Sequence, residues 1–224
     1  MEIKQVNFAE KNFVKEVTKK TQIVVHHTVS GDGIDGDVAW WNKSTDKIAA
    51  HYIIDRQGVI NQLFDDKYWA YHLGTSTAHY QKFGLSYQNL NRSSIGIELD
   101  SWGPVTAHGD KFYPVRWDAT SRKYLADTSK KPISNYPEEY CTGFRGHKYY
   151  ERYTPLQLSS LSALLDKLCL EHGIPPKYKG DSFWIANKIA LAGQSGIWGH
   201  CSFRADKTDP HPQAELVNLL KGMS

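Results

Sequence analysis

The sequence is poor in cysteine and has no long apolar run, and both shortages limit what the protein can be. Its three cysteines, Cys141, Cys169 and Cys201, are an odd number without CxxC spacing, which argues against a disulfide scaffold and favours reduced thiols. No run of about 20 apolar residues is present, so we expect no membrane insertion. The first residues, "MEIKQVNFAEKNFVKEV", lack the apolar core of a signal peptide. This predicts synthesis in the cytoplasm without a signal peptide.

Charge of one sign is not in large excess either. The chain has 27 Lys and Arg residues against 24 Asp and Glu residues, a net charge of +3. This is too small to indicate a nucleic-acid partner, and we expect none. With 224 residues, 40% of them hydrophobic, and no repeat or linker, the chain is typical of a globular protein with one sizeable core. We predict a single domain over residues 1–224.

Three segments predict strands. "TQIVVHHT" (21–28) is a β-branched run typical of a buried strand that ends in two histidines. "AHYIIDRQGVINQLF" (50–64) predicts a hairpin that turns near "DRQG". In "SIGIELD" (94–100) the apolar residues alternate with Gly96 and Glu98, which places Glu98 on the opposite face of the strand.

The remaining pattern predicts helices and one insertion. Thr154, Pro155 and Gln157 form a helix start with a capping box, and Gly173 ends this helix. A final helix follows residue 212. Strands separated by helices indicate an α/β domain with a mixed sheet. Residues 101–153 are rich in aromatic residues without sustained periodicity, and we interpret them as an insertion that contains a hairpin. Its rings either pack onto the core or line a substrate groove.

Three residues could together hold a metal ion. His26 ends the first predicted strand, and His200 and Asp209 lie on one loop in "GHCSFRADKTDP". A catalytic zinc site takes three protein ligands of N and O type and leaves one position for water. Two neutral imidazoles and one carboxylate leave a positive centre that lowers the pKa of bound water to roughly 7. The pattern therefore predicts one zinc ion per chain.

Each of these residues also has a simpler explanation. Any histidine can be an ordinary surface or core residue, and the chain has ten. His27 would face the other side of the strand from His26, so at most one of the two is a natural ligand. Asp209 could cap the final helix. Cys201 neighbours His200, and adjacent residues rarely reach one ion, so we expect Cys201 to be a small buried residue.

Four motifs, in the order "IVVHHT", "AHYIIDRQGVINQ", "SIGIEL" and "GHCSFRADKTDP", resemble the zinc-dependent N-acetylmuramoyl-L-alanine amidases of type 2. These share a fold with peptidoglycan recognition proteins and amidase-type phage lysozymes. The resemblance covers residues 20–100 and 150–220. It implies a central mixed β-sheet flanked by helices on both faces, with zinc in a groove at one edge.

The resemblance also implies roles for single residues. It makes His26, rather than His27, a zinc ligand together with His200 and Asp209; some relatives use a cysteine as the third ligand. It makes Glu98 the general base and Lys207 the electrostatic stabiliser. These roles suit amide hydrolysis, which needs a proton acceptor and positive charge near the oxyanion. Without the motifs, both side chains would be read as ordinary surface charges.

Other positions match less well or depart from the family pattern. "WAYHLG" resembles a groove-lining WHxG-like segment, which predicts that His72 contacts the substrate. His211 stands where relatives often have glycine after "DP". Asp206 stands where some members have a basic residue, which weakens any inference about the peptide carboxylate that is bound.

The resemblance implies an enzyme that hydrolyses the amide bond between N-acetylmuramic acid and L-alanine in peptidoglycan or muropeptides. We interpret it as a bacteriolytic phage endolysin that acts on the cell wall after release. The alternatives are a cytoplasmic muropeptide-recycling amidase, a delivered toxin, and a recognition module that binds without hydrolysis. Recognition modules of this family lack part of the zinc set, whereas the set is complete here, which favours the enzyme.

Overall fold

The structure, a computed structural model, describes residues 2–223 of the chain. Its strands in that range are β1 (Ile3–Gln5), β2 (Gln22–His27), β3 (Tyr52–Ile54), β4 (Ile60–Gln62), β5 (Ser94–Leu99), β6 (Pro104–His108), β7 (Lys111–Asp118), β8 (Lys123–Ala126), β9 (Glu138–Phe144), β10 (His147–Tyr150) and β11 (Gly196–Gly199). Its α-helices are α1 (Asp35–Lys43), α2 (Thr77–Gln81), α3 (Pro155–His172), α4 (Lys188–Leu191) and α5 (Ala214–Gly222). None of these helices is long and apolar enough to cross a bilayer.

The central sheet is mixed, with strand order β1-β4-β3-β5-β2-β11. Strands β3, β5, β2 and β11 run parallel to one another, while β4 is antiparallel to β3 and parallel to β1. The carboxyl ends of parallel strands meet at one end of a sheet, where α/β proteins commonly bind ligands. His26, Glu98 and His200 all lie at or directly after such ends.

Helices cover both faces of this sheet, as the fold prediction expected. On one face, the apolar residues of β2, β5 and β3 pack against α3 and α5. On the other face lie two clusters that include Trp41 of α1, Tyr80 of α2 and Leu191 of α4. Because both faces are covered, β2 is buried along its whole length, which explains its uninterrupted apolar run. The predicted α/β architecture is confirmed.

Helix α3 begins and ends where the sequence predicts. The Thr154 hydroxyl accepts from the Gln157 amide at 3.1 Å, and the Gln157 side chain accepts from the Thr154 amide at 3.0 Å. Gly173 ends the helix with φ +63°, a left-handed conformation that glycine adopts without strain. The buried stripe consists of Leu158, Leu161, Leu164, Leu165 and Leu168.

Residues 101–153 form more structure than the single hairpin we predicted. They build a second, antiparallel sheet, with strand order β8-β7-β6-β10-β9, which we call the insertion sheet (residues 104–150). The pattern was missed because these strands are largely exposed and lack the apolar alternation that reveals a half-buried strand. Its rings differ in burial: Tyr150 is buried, whereas Trp117 and Tyr124 are more than half exposed.

Helix α3 supplies a test of the core. Leu161 is fully buried against the sheet, whereas Leu170 on the same helix is 85% exposed. We expect Leu161→Ala to lower the free energy of unfolding by about 2–5 kcal/mol, because it leaves a cavity. The matched Leu170→Ala should change it by less than about 0.5 kcal/mol. Urea unfolding measures both, and equal effects would contradict this account of the core.

Candidate metal centre and active site

Three side chains from separate parts of the chain converge at the carboxyl end of the sheet. His26 is the last residue but one of β2, His200 directly follows β11, and Asp209 lies on the loop before α5. The Asp209 Oδ2 lies 2.8 Å from His200 Nδ1 and 3.2 Å from His26 Nδ1. All three residues are buried, and their ligand atoms lie within 4.8 Å of one another. The two imidazoles therefore present the same type of nitrogen to one carboxylate.

Hydrogen bonds behind the imidazoles determine which ring nitrogen carries the proton. His200 Nε2 lies 2.9 Å from the Leu73 carbonyl oxygen, to which it must donate. Ser94 Oγ donates to the Leu90 carbonyl oxygen and so accepts from His72 Nε2 at 2.8 Å. His72 Nδ1 then accepts from His26 Nε2 at 3.0 Å. Both metal-facing Nδ1 atoms are thereby left with a free lone pair.

In this tautomer assignment the lone pairs of two imidazoles and one carboxylate face one another, an arrangement suited to holding a cation between them. A proton on His26 is disfavoured, because burial and the neighbouring His200 lower the pKa of His26 to about 4. Burial alone would raise the pKa of Asp209, but His200 and His26 hold it well below its usual range. A neutral His26 imidazole and an ionised Asp209 carboxylate are in the protonation states that metal ligands need. The donor set of two nitrogens and one oxygen fits zinc.

Glu98 lies beside this cluster. It is the register partner of His26 in the β2–β5 pair, so the two side chains lie on the same face of the sheet. Its buried Oε2 has no hydrogen-bond partner among residues 2–223. Burial, and then the charge of Asp209, raise the pKa of Glu98 well above its usual value. An unpartnered carboxyl group with a raised pKa is suited to accept and release a proton.

The cluster opens into a groove of about 360 Å³. Lys207, Glu98 and His72 line it together with the three metal-facing residues. Trp40 and Tyr71, which no sequence motif indicated, also line the groove and are 59% and 40% exposed. Two adjacent tryptophans in α1 were a possible signal, but only the fold brings this helix to the groove.

His72, the predicted substrate contact, lies in the wall of the groove beside the metal-facing residues. It lines the groove, but His26 and Ser94 engage both of its ring nitrogens. A hydrogen bond from substrate to this imidazole would displace one of these protein partners. The substrate role of His72 stays a prediction, and the structure adds a direct contact with His26.

The structure also shows the surroundings of His27 and Cys201 and tests whether Asp209 is only a helix cap. His27 faces the opposite side of the sheet, where its Nδ1 lies 3.0 Å from the Tyr153 hydroxyl. The buried Cys201 thiol contacts the Phe183 carbonyl oxygen, and burial raises its pKa to about 12, so it stays protonated. The residue that caps α5 is Gln213, with no side-chain hydrogen bond. Helix capping therefore does not account for Asp209.

A family model described as N-acetylmuramoyl-L-alanine amidase matches residues 17–212. The chain belongs to this family. It is an N-acetylmuramoyl-L-alanine amidase, an enzyme that acts on peptidoglycan. Among the sequences of curated proteins, none matches the amidase significantly.

Solved structures resemble the amidase over nearly its whole length. The structure of PlyL is 13% identical, with a TM-score of 0.54, and the match covers 100% of this chain and 98% of that one. The N-acetylmuramoyl-L-alanine amidase LysC from Clostridium intestinale URNW is 14% identical, with a TM-score of 0.51 and coverage of 98% and 95%. A mutant endolysin from Bacillus subtilis is 15% identical, with a TM-score of 0.52 and coverage of 99% and 97%. At these identities the likeness shows the fold.

The amidase has a second group of potential metal ligands, formed by Asp66, Glu171 and His172. Glu171 is exposed and bonded to Lys167, and Asp66 accepts from the Tyr52 hydroxyl. These partners compete with an ion, so we expect this group to hold no metal. It serves as a control for the centre formed by His26, His200 and Asp209.

Removal of one ligand tests the metal centre. We expect about one zinc per chain in the wild-type amidase and in His172→Ala, and a large loss in His200→Ala and His26→Ala. Elemental analysis after gel filtration measures the zinc content. Full zinc in both ligand variants would disprove the assignment, and loss in His172→Ala would move the ion to the second group.

Proposed function

We propose that the amidase is zinc-dependent and hydrolyses the amide bond between the lactyl group of N-acetylmuramic acid and L-alanine of the stem peptide. The observation that carries the proposal is the convergence of His26 Nδ1, His200 Nδ1 and Asp209 Oδ2 beside the unpartnered carboxyl group of Glu98. We further propose that residues 1–224 form a single amidase domain.

His26, His200 and Asp209 would hold the zinc ion. When bound, zinc supplies a Lewis acid that polarises a carbonyl group and lowers the pKa of water. The buried relay from His26 through His72 to Ser94 keeps the His26 ring in one orientation. The Leu73 carbonyl oxygen does the same for His200. These partners reduce the reorganisation needed at the metal centre.

Glu98 acts as the general base and then as the general acid. It takes a proton from the attacking water, and its raised pKa allows it to deliver that proton to the departing alanine nitrogen. Lys207, in the wall of the same groove, offsets the negative charge that develops on the carbonyl oxygen. The C–N bond breaks, which leaves a lactyl carboxylate and a free alanine amine.

Trp40 and Tyr71 form the exposed part of the groove. Aromatic faces bind the apolar faces of sugar rings, and the substrate of this reaction carries an N-acetylated sugar next to the scissile bond. We therefore assign the muramic acid ring to this side of the groove.

The proposed biological role is that of a bacteriolytic endolysin that acts on the cell wall. The likeness in fold to an endolysin from Bacillus subtilis supports this role. A recycling amidase would act on soluble muropeptides, whereas an endolysin must cleave the intact polymer. A recognition module would have no use for Glu98 as an unpartnered buried carboxyl group, because such a group costs stability without contributing to binding.

The products identify the bond that is cut. Digestion of purified peptidoglycan should release new alanine amino groups and leave the glycan chains intact, as read by amine labelling and mass spectrometry. New reducing sugar ends without new amines would reject the amidase mechanism. Cleavage of soluble muropeptides alone, with intact polymer untouched, would favour the recycling role over the endolysin role.

Substitutions that keep the shape of the site separate catalysis from metal binding. We expect Glu98→Gln and Lys207→Met to retain zinc and to lose on the order of 10²-fold or more in kcat. The matched controls Glu139→Gln and Lys221→Met change exposed side chains and should retain full activity. Turnover close to wild type in Glu98→Gln would assign the general base to another residue.

A further inference from the structure

The insertion sheet is in contact with the loop that carries two of the proposed metal ligands. This loop, residues 200–213, starts at His200 and includes Asp209; we call it the ligand loop. Two side chains of the insertion sheet, Arg145 and Tyr140, form hydrogen bonds with it. Neither side chain lines the groove.

Arg145 holds the start of the ligand loop. It lies in the turn between β9 and β10, where Arg145 (φ +49°) and Gly146 (φ +83°) are both left-handed, as in a tight hairpin turn. Its guanidinium donates to the carbonyl oxygens of Ala205 at 2.9 Å, Trp184 at 2.7 Å and Cys201 at 3.4 Å. One side chain thus ties together two points of the ligand loop and the segment that precedes β11.

Tyr140 holds the end of the ligand loop through His211. His211 is fully buried, and its Nε2 donates to the Glu151 carbonyl oxygen at 3.1 Å. The remaining ring nitrogen, Nδ1, therefore accepts from the Tyr140 hydroxyl at 2.8 Å. The His211 ring also stacks on Tyr150, with the ring centroids 4.8 Å apart. The histidine that replaces the usual glycine is thus the docking point of the insertion sheet.

Two of these contacts, at Cys201 and His211, lie one or two residues from the ligands. Cys201 follows His200 directly, and its amide donates to the Asp209 carbonyl oxygen at 2.9 Å. His211 is separated from Asp209 by one residue. A displacement of the loop would therefore move the Asp209 carboxylate relative to His26, which is fixed separately in β2. Metal affinity depends on ligand positions held to within about 0.5 Å.

We propose that Arg145 and Tyr140 are positioning residues, and that the insertion sheet determines how tightly the amidase holds its metal by fixing the ligand loop. The proposal rests on the proposed zinc centre. It assigns the buried side of the insertion a role in metal binding rather than in substrate binding.

The test measures metal affinity in Arg145→Ala and Tyr140→Phe. Both should bind zinc about 10-fold more weakly than wild type in competition with a chelator, the lower end of the range for lost partners of metal ligands, because both side chains act through neighbours of the ligands. The cobalt-substituted variants should show altered visible absorption bands, because the ligand geometry changes. Arg145→Lys retains the charge but not the planar guanidinium that reaches three carbonyl oxygens. Its zinc affinity should therefore lie between those of wild type and Arg145→Ala.

The matched controls are Arg116→Ala and Tyr124→Phe, which change exposed side chains of the same insertion sheet. They should keep wild-type zinc affinity and cobalt spectrum. If Arg145→Ala does not fold, Tyr140→Phe decides, since it removes a single hydroxyl group. Wild-type affinity and spectrum in folded Arg145→Ala or in Tyr140→Phe, even with a lowered melting temperature, would overturn the proposal. A wild-type protein that binds no zinc would overturn the proposed metal centre as well. Failure of the metal centre is therefore distinguishable from failure of the positioning role alone, in which wild type still binds zinc.

Discussion

The buried carboxylate of Asp209 is the interaction on which the functional part of the structure depends. A carboxylate removed from water is stable only when it is paired with positive charge, and the lone pairs of His26 and His200 that face Asp209 can share with it a cation such as the proposed zinc ion. Each imidazole in turn needs a partner for its other nitrogen, supplied by the Leu73 carbonyl oxygen and by His72. The need to satisfy one buried charge therefore brings together three segments of the chain: strand β2, residues 72–73 and the ligand loop.

The same burial has opposite consequences for two neighbouring carboxyl groups. Asp209 is surrounded by imidazoles, which keep its pKa low, whereas Glu98 has no such partner and its pKa rises. The charge of Asp209 contributes to that rise. One carboxyl group is thus kept ionised, as a metal ligand must be, while the other can carry a proton. Paired acidic groups in hydrolases commonly divide their roles in this way.

The insertion sheet extends this organisation beyond the central sheet. Its outer rings, such as Trp117, are exposed, while its inner side packs Tyr150 against His211. The inner side of the insertion sheet therefore contacts the loop that carries Asp209. An addition of this kind alters a metal centre without a change in any ligand, because it acts on the backbone that carries the ligand.

The sequence by itself determined the α/β class, the capped helix α3 and the strands that carry His26 and Glu98 near their ends, because these follow from local periodicity and capping chemistry. The motif order also identified the family. Only the tertiary structure decided that Trp40 lines the groove, that His72 contacts His26, and that residues 104–150 form a sheet against the ligand loop. These features depend on contacts between segments distant along the chain, and local residue preferences carry no information about such contacts.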